Sequence, residues 1–320
     1  MSDNGIDVVT VGIHIVDILG RPVPAVPEGQ GVALLEEIRM TVAGTAAGTS
    51  VDLARLGMRV ATFGVIGNDE LGVWLIEKMQ REGIDVAGLT VDHHAPTSAT
   101  MLPIRPNGER PALHVIGANA LLSSDHLDWE KIESATVLHV GGTFLLESFD
   151  GAPTANTLKR AKEAGVTTTL DIIGMPGADV DAVLGPCFPY LDYFLPNDED
   201  AFMLSGTSTL SDAVQWFHHR GVGATVITLG ADGACVGVGN TIEAQVPAYA
   251  VDVVDTTGCG DAFSAGFIVG LIEGRDPVGA SELGVAAGSL VATGLGSDAG
   301  ITNRIDLDAF IDAKTSVDRA

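Results

Sequence analysis

Residues 255–267 read Asp-Thr-Thr-Gly-Cys-Gly-Asp-Ala-Phe-Ser-Ala-Gly-Phe. The consecutive amides of Gly258, Cys259 and Gly260 can curl into a concavity where a helix begins. The first N–H groups of a helix are unpaired and lie at the positive end of its dipole, so they attract anions. Glycine lets a phosphate approach the backbone with no side chain in the way. Asp261 follows at once. A carboxylate beside such a nest repels phosphate, so it needs another task, and general base toward a hydroxyl nucleophile is the natural one. The plainer alternative is a helix cap followed by small residues (Ala262, Ser264, Ala265, Gly266) that permit close packing.

Other routes to this chemistry are missing. No GxxxxGK[ST] loop, no GxGxxG after the first strand, no GxSxG elbow and no HExxH is present. His93-His94 and His218-His219 are adjacent pairs whose members face different ways, so they read as surface residues. Cys187, Cys235 and Cys259 are far apart, which excludes a disulfide scaffold and a zinc site of the usual spacing. A thiolate at a helix N-terminus would be activated, yet Cys259 reads as a small spacer within the nest.

The chain has 320 residues and a formal net charge of −25. That argues against nucleic-acid and anionic-membrane partners, which need basic patches. It leaves an anionic substrate possible, because backbone dipoles and a metal can bind one locally. Lysine is scarce, and the excess acid reads as a solubility or salt-adaptation feature. No run of 18 apolar residues is present and the N-terminus has no basic leader, so the expectation is a cytoplasmic protein.

The elements that must position Asp261 alternate. Residues 7–19 read as a buried first strand interrupted by His14 and Asp17, and 31–43 as a second extended piece. A helix over 46–57 and a strand over 59–66 follow, then a helix over 71–83. Strands at 136–140, 168–172, 191–195 and 225–229 alternate with helical stretches at 153–164, 179–184, 198–204 and 210–220. A hairpin at 233–247 precedes helices over 262–273 and 280–293. This predicts a three-layer α/β/α fold with a mainly parallel central sheet. Segments near 12–20, 32–44 and 96–117 predict a small β-sheet lid, with a hairpin turn at Asn107-Gly108. The whole chain, 1–320, reads as one domain.

With these elements in order, the chain resembles the PfkB (ribokinase-like) carbohydrate kinases. Its Asp255–Asp261 stretch resembles that family's Asp-Thr-x-Gly-x-Gly-Asp signature, and residues 43–57 resemble its first signature, GGxxxNxAxxxxxLG. Gly67-Asn68-Asp69-x-x-Gly72, Gly117-Ala118-Asn119, Asn197–Asp200 and Thr228-x-Gly230-x-x-Gly233 match further family segments in order.

The resemblance implies an ATP-dependent sugar kinase with Asp261 as base and Gly258, Cys259 and Gly260 as the anion hole. It implies that Asp17, on the first strand, binds the acceptor together with Gly44 and Gly48. Asn197, Thr228, Gly230 and Gly233 would serve ATP. Asp200 would hold Mg2+ through water, and Asp255 and Thr257 a monovalent cation such as K+. It also implies a homodimer through the lid. The asparagine of the first signature is Gly48 here, and a lysine found in ribokinases proper is Thr45, so two donors to a sugar are missing and ribose itself is put in doubt. Arg105 could reach a substrate carboxylate or phosphate, or could be an exposed lid residue. The alternatives are a nucleoside kinase of the same family and a sugar-binding regulatory protein without catalysis.

Overall fold

Val8, Val9 and Val11 are fully buried, and so is every other residue of their strand, as expected of a strand covered on both faces. The computed structural model describes residues 5–106, 109–297 and 299–317. In chain order it has strands β1 (Val8–Gly12), β2 (Ile15–Arg21) and β3 (Glu37–Ala43), helix α1 (Ala47–Arg55), β4 (Val60–Gly67), α2 (Glu70–Arg81), β5 (Asp85–Asp92), β6 (Ala99–Pro103) and β7 (Leu113–Val115). Then come α3 (Trp129–Ser134), β8 (Val137–Thr143), α4 (Ala152–Glu163), β9 (Thr167–Ile172), α5 (Val180–Val183), β10 (Tyr193–Phe194), α6 (Asp198–Ser205), α7 (Leu210–His218) and β11 (Ala224–Thr228). The chain continues through β12 (Ala234–Val238), β13 (Thr241–Val246), α8 (Cys259–Ile272), α9 (Pro277–Val291) and α10 (Arg304–Val317).

The large sheet runs β13-β12-β11-β10-β9-β8-β1-β4-β5. It is parallel except where β12 and β13 turn back as a hairpin. One face carries apolar residues of α1, α2, α8, α9 and α10, and the other those of α3, α4, α6 and α7. The strand order reverses at β1, which has β4 on one side and β8 on the other. Ligands of open α/β sheets bind at the carboxyl ends of the strands beside such a reversal.

The segment over 7–19 is two strands, not one. At Ile13 and His14 the chain leaves the large sheet and enters a second, four-stranded sheet, ordered β3-β2-β6-β7. Asn119 fastens this crossing: its Oδ1 accepts from His14 N–H at 2.9 Å and its Nδ2 donates to His14 O at 3.2 Å. Asp17 therefore lies on β2 of the small sheet and not on the first strand of the large one. The strands of the small sheet lie largely within the three segments expected for a lid. The extended piece over 31–43 is strand only from Glu37. The Asn107-Gly108 turn lies outside the described residues. Helices α3 and α10 were not expected, being a single short turn pair and a terminal amphipathic piece with little apolar periodicity.

Helix α8 is apolar on every side and buried from Asp261 through Gly270. It approaches α9 closely: a Cβ on Gly266 would lie 2.7 Å from Leu283 O, and one on Gly284 2.8 Å from Phe263 O. On the opposite face Phe217 of α7 packs on Phe194 of β10 at 5.0 Å between ring centroids and on Phe188 at 5.8 Å. Phe217→Ala should cost about 3–5 kcal/mol, the usual range for emptying a buried aromatic site. Urea denaturation would measure it, and a loss under about 1 kcal/mol would show that the cluster collapses around the gap.

Candidate active site

The residues singled out by sequence fall along one cleft at the carboxyl ends of the parallel strands. Thr228 ends β11, Asn197 follows β10, and Gly44 follows β3 of the small sheet. Gly258 caps α8 with φ +81°, and a Cβ there would meet Ser297 Cα at 2.5 Å. Only glycine meets both demands, and the first turn of α8 is thereby set against the loop at 296–297. Of the three nest amides, that of Cys259 points at Thr256 O at 3.4 Å, a marginal bond. The Cys259 thiol is pushed up to about 12 by burial, first of all, so it stays protonated and its spacer reading stands.

Asp261 is buried at the floor of the cleft. Burial, and then the charge of Asp17, push its carboxyl up to about 7. Gly48 on α1 lies directly behind it: a Cβ there would come within 2.3 Å of Asp261 Oδ2. Gly48 thus makes room for the carboxylate, which occupies the space that a side chain at 48 would take. Gly44, at φ +94°, turns the chain into that helix under Ile13 O.

Asp17 faces the same space. Across the small sheet Thr41, Asp17, Thr100 and His114 stand in one row. Thr100 donates to Asp17, and His114 Nδ1 lies 3.0 Å from Thr100 Oγ1, which makes the imidazole the donor in a short relay. Burial raises Asp17 to about 6 against the opposing pull of Thr100 and Arg110. Asp17, Thr100, His114 and Arg110, with Thr45, Leu145, Ile173, Gly258 and Ser297, border a cavity of about 520 Å³ whose described lining holds no Phe, Tyr or Trp.

A second cavity of about 440 Å³ opens on the other side of the nest. Thr228, Gly230, Gly233, Tyr249, Cys259, Gly260 and Ser289 are part of its largely apolar wall. Between the two lies a polar passage bordered by Thr45, Asp171, Asn197, Thr228, Gly258, Gly260 and Asp261. Asn197 caps α6, accepting from Asp200 N–H at 2.7 Å and donating to Asp200 Oδ2 at 2.8 Å. Burial raises Asp200, and a backbone bond from Gly174 partly offsets it.

Asp171, at the end of β9, escaped the sequence reading. It is raised well above the usual range by burial, then by the charges of Asp261 and Asp200. Its position at a strand's carboxyl end was the available signal. Hard oxygen donors such as Asp171, Asn197 and Asp200 fit Mg2+. Among the described residues no group of three or more His, Cys, Asp or Glu that could hold a metal ion is present.

Asp255 and Thr257, which the resemblance assigns to a monovalent cation, are hydrogen-bonded to each other and to the loop at 296. Asp255 Oδ1 accepts from Thr257 N–H at 3.0 Å and Thr257 Oγ1 at 2.8 Å, and Oδ2 accepts from Gly296 N–H at 2.9 Å. The positive charge beside them is a guanidinium. Arg110 donates to Thr257 Oγ1 at 2.6 Å and lies 3.9 Å from Asp255 Oδ1. Arg105 instead pairs with Glu109 at 3.1 Å on the exposed lid. Of the two readings that the sequence left open for Arg105, the exposed lid residue is the one found, and the inward arginine is Arg110, which nothing in a turn sequence singles out.

Comparison with known proteins decides the family. The model of the pfkB family carbohydrate kinases matches residues 6–304. The chain belongs to that family. It is 28% identical to a probable fructokinase-5 of Arabidopsis thaliana over 78% of this chain and 80% of the relative. It is 26% identical to a 2-dehydro-3-deoxygluconokinase of Bacillus subtilis (86% and 88%) and 29% to an ATP-dependent ribose-1-phosphate kinase of Halopiger xanaduensis (84% and 86%). The ribokinase of Thermotoga maritima superimposes with TM-score 0.79 at 27% identity over 96% of this chain and 99% of that one. Arabidopsis thaliana ribokinase complexed with ribose and ATP shares the fold, with TM-score 0.80 at 22% identity over 96% and 99%. Among the described residues no helix is long and apolar enough to cross a membrane.

The buried carboxyl of Asp261 has a consequence for stability. The folded state holds its proton more tightly than the unfolded chain does, so its contribution favours folding below the ordinary carboxylate range and is lost as pH rises to about 7. Asp261→Asn should therefore raise the melting temperature at about pH 8, with the gain shrinking toward about pH 5. Calorimetry at both pH values tests it, and a gain independent of pH would show that Asp261 is not the group that titrates.

Proposed function

We propose that this pfkB-family protein transfers the γ-phosphoryl group of ATP to a hydroxyl of a small sugar or sugar-like acceptor. The observation that carries the reading is the placement of Asp261 between two cavities and directly beside the glycine nest. The larger cavity would take the acceptor and the one behind Gly260 the nucleotide. Asp17 would orient the acceptor by its hydroxyls, with the Thr100–His114 relay holding the carboxyl in place.

Asp261 would accept the proton of the attacking hydroxyl. A base raised to about 7 suits this task, because it is ionised near neutrality yet still takes a proton. The amides of Gly258, Cys259 and Gly260 would face the charge that develops on the transferred group, where each such donor contributes on the order of 3–4 kcal/mol. Asp171, Asn197 and Asp200 would hold Mg2+ through water, and the ion would neutralise phosphate charge. Thr228, Gly230 and Gly233 would border ATP. The acceptor cavity's lack of aromatic lining favours a sugar over a nucleoside.

The outer face of the small sheet supports a homodimer. Met40, Ile18, Met101 and Leu113 align across its four strands, on the face opposite Asp17. Ile38, Met101, Leu113 and Val115 are each more than half exposed, at 71%, 55%, 56% and 52%. An apolar sheet face of this kind is ordinarily covered, and a second copy of the same face would cover it.

Asp261→Asn should lower kcat by about 10²–10⁴ in an ADP-release assay over a sugar panel, and wild-type kcat/KM should rise with pH through about 7. Turnover within about tenfold of wild type would remove the general-base role. No turnover of any acceptor by the wild type would favour a binding protein without catalysis. Light scattering should give twice the chain mass, and Met101→Glu should give the monomer. A monomeric wild type at micromolar concentration would end the dimer proposal.

A further inference from the structure

Arg110 is the one Lys or Arg among the described residues that line the acceptor cavity, and it also borders the passage beside Asp261. Its guanidinium has five N–H donors in a planar fork. One is engaged by Thr257 Oγ1, and its contact with Asp255, at 3.9 Å, is too long for a hydrogen bond. The other polar side chains of the wall, among them Asp17, Thr45, Thr100, Thr257, Asp261 and Ser297, suit hydroxyls and not an anion. Ile15, Ala43, Leu102, Ala112, Leu145 and Ile173 are apolar, and positions 45 and 48 carry Thr and Gly.

The charges that face Arg110 are those of Asp17, Asp255 and Asp261. Asp255 is sealed behind Thr257, with both oxygens accepting from protein N–H or O–H groups. Asp17 and Asp261 are the hydroxyl-binding and proton-accepting groups in the function proposed above, and their burial favours the neutral form of each. His114, the other basic side chain of the cavity, is turned toward neutrality by burial. The fork is thus the positive charge that an acceptor meets in this cavity.

We infer that the acceptor carries a compact oxyanion, a carboxylate or a phosphate, which the Arg110 fork binds while Asp17 and Asp261 meet its hydroxyls. This rests on the kinase reading and narrows it: the acceptor class is a sugar acid or a sugar phosphate, and the residue that selects it is Arg110. Lid closure and anion recognition would be one event, because Arg110 rides on the lid and reaches the residue that precedes the nest.

The test is steady-state kinetics of wild type, Arg110→Gln and Arg110→Lys with D-fructose, 2-dehydro-3-deoxygluconate and ribose 1-phosphate. The expected result is that one anionic acceptor exceeds fructose in kcat/KM by at least about a hundredfold. Arg110→Gln should reduce that ratio at least about tenfold, mostly through KM, with Arg110→Lys in between. The acceptor that loses the preference tells carboxylate from phosphate. A wild-type preference for fructose, or an equal loss for all three acceptors in Arg110→Gln, overturns the inference and leaves the kinase reading standing. Titration calorimetry separates the two the other way. An anionic acceptor that binds wild type and not Arg110→Gln, without turnover, supports the inference against the kinase reading. No binding and no turnover with either anion overturns it.

Discussion

The structure depends on driving an acidic helix start into the protein interior. Helix α8 is apolar on all sides and is held against α9 by glycines that let the two backbones nearly touch. Its first turn must nevertheless open on the cleft, since the unpaired amides there have no other partner inside the helix. Asp261 lies one residue inside that turn, so the packing that buries the helix also buries the carboxylate. Its raised pKa follows from this burial first and from Asp17 second.

The surroundings read as adjustments to that constraint. Gly48 leaves the carboxylate its space, and Gly258 lets the chain turn under Ser297. Three further carboxylates, Asp17, Asp171 and Asp200, approach from β2, β9 and α6, and burial raises all three. So many buried acids near one another is an arrangement under electrostatic load, of the kind that a bound cation relieves.

The small sheet answers to two demands. One face must present Asp17, Thr100 and His114 to the cleft, and the strict alternation of strands then sends Ile18, Met101 and Leu113 outward. A functional inner face thus produces an apolar outer face. The polar inner face and the apolar outer face are linked through a single strand register, and a slip of one residue would exchange the two.

Sequence alone determined the alternation of strands and helices, the glycine nest, and the role that Asp261 can play, because periodicity and signature spacing are local properties. It also carried the family resemblance across most of the chain. It read 7–19 as one strand and so missed the break at Ile13 and His14, since a continuous apolar run does not reveal a change of sheet, although it assigned 12–20 with Asp17 to the small sheet. It missed Asp171, whose meaning comes from strand neighbours, and it could not show that Gly48 leaves space for a carboxylate oxygen 213 residues away in sequence. Tertiary structure alone decided that Arg110 and not Arg105 turns inward, and that Asp255 and Thr257 meet a guanidinium. The physical reason is common to these cases. Burial, charge and close approach belong to residues brought together across the fold, and no spacing along the chain encodes them.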